Sequence, residues 1–197
     1  MEDTYKTITD TAEGLYTEKR SRFIAYAVPV RTAEEAKAAV EAYRKQYYDA
    51  RHVCWAYRIG AAGEIFRSND DGEPSGTAGK PILGQLLSNG LTDILVVVIR
   101  YFGGIKLGTG GLIVAYRAAA AEAIAAACVV EKTVDEEMTV VFEYPFLNSI
   151  MRIIKEENPI VLSQTFEMDC EITLRIRKSA AAKLRSRLLQ VDTAYLK

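Results

Sequence analysis

The stretch that most restricts the fold is Ile94–Ile99, which reads ILVVVI. A continuous aliphatic run leaves no polar face to show to water, so it predicts a central β-strand covered on both sides. The rest of the chain must supply two covering layers. Phe23–Val30 (FIAYAVPV) and His52–Ile59 (HVCWAYRI) are apolar, aromatic and β-branched and read as further strands, with Gly63 turning the second into a short strand Glu64–Arg67. Between them Ala36, Ala39, Val40 and Tyr43 recur at helical spacing behind the capping-box pair Thr32 and Glu35. Pro81 suits the opening of a helix over PILGQLLSNG that stops at Gly90. Leu112–Val130, rich in alanine and interrupted by Arg117 and Glu122, predicts a long buried helix that packs closely on a sheet.

Around Glu131–Glu137 the character of the chain changes. Beyond it the pattern predicts a strand Met138–Glu143, a helix Phe146–Glu157 stopped by Pro159, strands Ile160–Glu167 and Cys170–Arg177, a helix Ala180–Gln190 and a short strand within Asp192–Leu196. The order βαββα with a last strand predicts a small ferredoxin-like module. We therefore expect two domains, 1–135 and 136–197.

Lys and Arg total 25 against 26 Asp and Glu, a net charge of −1, which argues against a polybasic nucleic-acid coat but leaves room for a local basic patch. Cys54, Cys128 and Cys170 are dispersed and form no CxxC pair, which disfavours a disulfide framework or zinc site and fits a reducing cytosol. The start MEDTYKTITD has no leader pattern, and no uncharged apolar run is long enough to span a bilayer. A cytoplasmic location without a membrane partner is the expectation.

The chemistry concentrates in two glycine-rich segments, Ser68–Gly79 (SNDDGEPSGTAG) and Gly103–Gly111 (GGIKLGTGG). In the second, Gly103, Gly104, Gly108, Gly110 and Gly111 can turn the backbone through positive φ and leave its N–H groups unscreened. With Thr109 or Gly110 just before a helix, the dipole adds to an anion site, and Lys106 and Arg100 bring cations. The competing reading is a tight strand-to-helix turn. The spacing matches neither GxxxxGK[ST] nor GxGxxG, so no nucleotide cofactor is expected.

In the first segment Asp70 and Asp71 either hold Mg²⁺ or cap the turn and following helix. Glu73, between Gly72 and Pro74, is the better functional candidate, with Ser75, Thr77 and Lys80 close behind. His52 is the single histidine. There is no GxSxG to make Ser75 its nucleophile, so it reads as packing, and no metal set is recognisable. Tyr43, Tyr47 and Tyr48, beside Arg44, Lys45 and Arg51, either stack on bases or pack on the sheet, and packing is favoured.

The segments ARHVCWAYR (Ala50–Arg58), NDDGEPSGTAGKPIL (Asn69–Leu83) and VVVIRYFGGIKLGTGGL (Val96–Leu112), with Ala115–Tyr116 after them, resemble the YigZ/Impact family, and the tail is similar to that of its bacterial two-domain members. The resemblance implies an α+β protein: an N-terminal α/β domain like ribosomal protein S5 domain 2, with a left-handed βαβ arrangement, then a ferredoxin-like domain resembling elongation factor G domain V. It also implies a link to translation, because eukaryotic Impact proteins are translation regulators. Val114 stands where the family usually has arginine, with Arg117 three residues on. That departure puts in doubt a phosphate site shared by every member.

Together these readings predict a cytosolic, non-enzymatic protein that binds RNA or the ribosome through an anion-binding cleft between the two loops. Its candidate residues are Asp71, Glu73, Ser75, Thr77, Lys80, Arg100, Gly103, Gly104, Lys106, Gly108, Thr109 and Gly110. A phosphate-handling hydrolase or phosphoryl-transfer enzyme and a protein-interaction module with a protein partner are the alternatives.

Overall fold

A computed structural model describes residues 3–197. The aliphatic run forms the core of β6 (Ile94–Tyr101), the middle strand of a five-stranded antiparallel sheet. β3 (Ser21–Pro29) and β4 (His52–Ile59) pair with it on either side, and β2 (Ala12–Glu18) and β5 (Ile65–Asn69) form the edges. Strand alternation divides the run between two cores. Ile94, Val96 and Val98 face α2 (Gly79–Ser88) and α3 (Gly108–Ala126), while Leu95, Val97 and Ile99 face α1 (Ala33–Gln46). All six are 0% exposed, which is why no polar residue interrupts them.

The same alternation sets the site. Arg100 continues the even-numbered face, toward α3, and the register places His52 of β4 directly opposite it. α3 approaches the sheet closely because Ala115, Ala119, Ala120 and Ala123 line its buried face. Gly14 of β2 completes the fit, since a Cβ there would lie 2.3 Å from the Ala123 backbone nitrogen.

α1 begins at Thr32 as expected, its Oγ1 accepting from the Glu35 N–H at 3.1 Å, and Tyr43 and Tyr47 pack on Tyr26 of β3. Three details differ from the sequence expectation. β2 and β1 (Thr4–Ile8) precede the first expected strand, and β2 alternates too weakly between half-buried and exposed residues to stand out. The long helix stops at Ala126, where Ala127 turns extended. Val129 and Val130 then join β7 (Val129–Thr133), which pairs with β1. α3 also starts earlier than expected, at Gly108, so Thr109, Gly110 and Gly111 are helical.

The chain divides into two compact units, one of Tyr5–Lys132, the other of Thr133–Lys197 together with Asp3 and Thr4. In the second, β8 (Asp135–Glu143), α4 (Leu147–Glu157), β9 (Ile160–Phe166), β10 (Asp169–Arg177), α5 (Lys178–Leu188) and β11 (Tyr195–Leu196) follow the order βαββαβ. The sheet order β11-β8-β10-β9, antiparallel throughout, is the ferredoxin-like arrangement. Its core joins Val140, Phe142, Ile172 and Leu174 of the sheet to Ile150, Ile154, Leu184 and Leu188 of the helices. In this division Asp3 lies with the C-terminal unit. Its carboxylate accepts from Arg177 Nε at 2.7 Å and from the Ser179 N–H at 3.1 Å. Those bonds, the arginine's foremost, hold the Asp3 carboxyl well below the usual range. No helix among the described residues is long and apolar enough to cross a membrane.

Candidate functional site

Beside the C-terminal end of β6 lies a cavity of about 370 Å³ lined by Arg51, His52, Glu73, Pro74, Arg100, Phe102, Lys106, Leu107, Gly108, Thr109 and Leu112. Both glycine-rich segments reach it, but not with all the residues expected.

The first segment is held in place by its aspartates. Asp70 Oδ2 accepts from the Gly76 N–H at 2.9 Å, and Oδ1 from those of Ala78 and Gly79 at 3.1 and 2.8 Å. It thus caps α2 from eight or nine residues upstream, where Ala78 has no side chain to do so. Burial works to raise the Asp70 carboxyl, but these N–H bonds outweigh it and hold it low. Asp71 Oδ2 accepts from the Val53 N–H at 2.7 Å and Oδ1 from Arg44 Nη2 at 2.9 Å. Both carboxylates are therefore engaged in building the loop. Among the described residues no group of three metal-ligating side chains is placed to hold an ion. Thr77 Oγ1 donates to the Pro74 carbonyl at 2.6 Å, again within the loop. Ser75 and Lys80 are exposed and do not line the cavity.

Glu73, with Pro74 beside it, brings this loop into the site. Its side chain, 3% exposed, accepts through Oε1 from Arg100 Nη1 at 2.6 Å and from the Tyr116 hydroxyl at 2.7 Å. Burial pushes the Tyr116 hydroxyl far up, so it remains a neutral donor. Cys54 Sγ lies 3.3 Å from that hydroxyl and 3.0 Å from the Asp70 carbonyl, and burial raises its thiol too. Arg100 thus does not stand free beside the glycines, as expected of it: its charge is spent on Glu73. Its guanidinium lies 5.6 Å from the Phe23 ring centre and 5.7 Å from that of Phe102.

His52, which its sequence context reads as packing, lines the cavity. Its Nδ1 is 2.7 Å from the Asp71 carbonyl, which can only accept, so Nδ1 carries the proton. Nε2 is then turned toward Glu73 Oε2, 3.8 Å away. Alternation along HVCWAYRI does place His52 on the face of Cys54 and Ala56, but its partners come from other elements. Arg51, Phe102, Leu107 and Leu112 were likewise missed as lining, for want of any local signal.

The second segment opens α3 over the cavity. Gly104 and Gly108 adopt positive φ, 89° and 75°, whereas Gly103 serves close packing: a Cβ there would sit 2.1 Å from the Arg20 backbone carbon. Its N–H donates to Ser21 Oγ at 3.1 Å and so is not offered to a ligand. α3 has no side-chain cap, and its first turn includes Gly108 and Thr109, both exposed and both lining the cavity with Lys106. The N–H groups of a helix's first turn lack intrahelical acceptors and carry partial positive charge. Gly110 lines a separate depression with Tyr16, Lys19 and Val114. The Val114 departure therefore falls outside the main cavity, and Arg117 does not line it either.

Residues 19–124 match the family model of the Impact N-terminal domain. The chain is similar to the Impact family member YigZ of Escherichia coli strain K12, 36% identical over 90% of this chain and 88% of that one. A crystal structure of a hypothetical protein overlays all of this chain and 97% of its own, with 32% identity and a TM-score of 0.74. A structure described as the two-domain translational regulator Yih1 covers 62% of this chain and 47% of its own, at 25% identity and a TM-score of 0.38.

Proposed function

The chain belongs to the Impact family, and from that premise we propose that it is a cytoplasmic RNA-binding protein of translational control, engaging RNA of the ribosome or its substrates at the cavity over α3. Translational regulation is the role given in Yih1's description, and it is carried here as part of the proposal. The observation that supports binding is the coincidence, around one cavity, of the uncapped start of α3 with the exposed Lys106 and Arg51. The Glu73–Arg100 pair makes the floor close to neutral, so the field at the mouth comes from the helix and the two exposed cations. Gly103, Asp71, Ser75, Thr77 and Lys80 take no direct part in this proposal.

Binding to a single-stranded RNA should weaken as salt rises, with a log–log slope of about 0.7 per phosphate neutralised. Replacing both Lys106 and Arg51 by alanine should lower the slope by about 1.4 and weaken binding at every salt concentration. Unchanged affinity and slope in the folded double variant would remove the cavity from the RNA contact.

A further inference from the structure

Contacts to phosphate do not account for the cavity's walls. Pro74, Phe102, Leu107 and Leu112 are apolar, and the hollow measures about 370 Å³. A surface that only follows a sugar–phosphate backbone needs a cationic groove; a hollow of this size with apolar walls and a few convergent polar groups suits one small ring-bearing molecule. A second observation comes from the floor. Arg100 is only 8% exposed at its side chain, yet among the described residues its one hydrogen-bond acceptor is the Glu73 carboxylate, at Nη1, and Nε is buried without a partner. Buried donors nearly always find acceptors, and a guanidinium lining a cavity can take one from a ligand.

We propose, building on the RNA-binding reading, that the cavity accommodates a single nucleotide bearing a terminal phosphate. The base lies against Phe102 and Leu112, with its carbonyl or ring-nitrogen acceptors toward Arg100. The phosphate sits at the first turn of α3 with Thr109 and Lys106. A monoester carries −1.5 to −2 charge at pH 7, more than a diester's −1, and so gains more from the helix terminus and the two exposed cations. Either a free nucleotide or the phosphorylated end of an RNA presents this unit.

The test uses the full chain. Each of the four nucleoside 5′-monophosphates, its nucleoside and inorganic phosphate are titrated by calorimetry. Then 5′-phosphorylated, 3′-phosphorylated and unphosphorylated trinucleotides compete against a labelled RNA. At least one monophosphate should bind about tenfold or more tighter than its nucleoside and than phosphate. Phe102→Ala, at a residue 45% exposed, should weaken that nucleotide about tenfold through lost stacking in a variant that thermal unfolding shows to be folded at the binding temperature. Lys106→Ala should weaken the nucleotide but not the nucleoside. A phosphorylated trinucleotide competing as well as the monophosphate identifies an RNA end as the source, and competition by the monophosphate alone identifies a free nucleotide. Salt-dependent RNA binding that no monophosphate displaces would overturn this inference and leave the RNA reading standing. Nucleotide binding without RNA binding would do the reverse. Equal binding of nucleotide and nucleoside would also overturn the inference.

Discussion

Removing the Glu73 carboxylate should destabilise the N-terminal unit severely. Arg100 and Glu73 are 8% and 3% exposed at their side chains, so Glu73→Ala strands a guanidinium in a place water hardly reaches. Breaking one side of a buried ion pair costs about 3–5 kcal/mol. The Tyr116 hydroxyl also loses its acceptor, which adds about 1 kcal/mol. A loss of about 4–6 kcal/mol is a large share of the 5–15 kcal/mol that holds a typical domain together. Trp55 on β4 is the only tryptophan, so its fluorescence during urea unfolding reports this unit specifically. With an m-value of about 2 kcal/mol/M, the midpoint should fall by roughly 2–3 M. The double variant Glu73→Ala/Arg100→Met removes both charges and should recover much of the loss, since an apolar replacement of a buried pair is often neutral. A midpoint shift under about 0.5 M for Glu73→Ala, or strictly additive losses in the double variant, would refute the reasoning that the pair is desolvated and mutually compensated.

Asp70→Asn should cost about 1 kcal/mol at pH 7, the scale of a lost helix cap, visible as a lower urea midpoint. Because the folded Asp70 carboxyl is held low, its contribution is fully present above the ordinary carboxylate range and is lost as pH falls through the folded value, so the gap between variant and parent should narrow steadily on acidification below about pH 4. Gly14→Ala should destabilise by about 1–3 kcal/mol or more, because the added methyl meets the backbone of α3 and not a movable side chain. Gly110→Ala should instead leave stability equal or raise it by up to about 1 kcal/mol, since nothing lies within 4 Å and the position is helical; thermal unfolding of the two variants makes the comparison.

By itself the sequence determined the elements whose causes are local. ILVVVI had no alternative to a strand buried on both faces, and Thr32 with Glu35 announced the start of α1. The βαββα spacing specified the ferredoxin-like module, because short elements with short connections leave little topological freedom. The family motifs also marked the two segments that meet at the cavity. The fate of the charges needed tertiary structure. Arg100 is neutralised by a residue 27 positions away, on a loop whose position depends on sheet register and on Asp71 bonding to β4. Asp70 caps a helix across nine residues, a reach for which no sequence pattern exists. Of the five glycines expected to turn a nest, only Gly104 and Gly108 have positive φ, because α3 begins at Gly108 and takes Gly110 and Gly111 into its first turn. Composition and spacing place charged groups near one another along the chain, but whether such a group is spent inward or offered outward depends on burial and pairing, which only the folded chain creates.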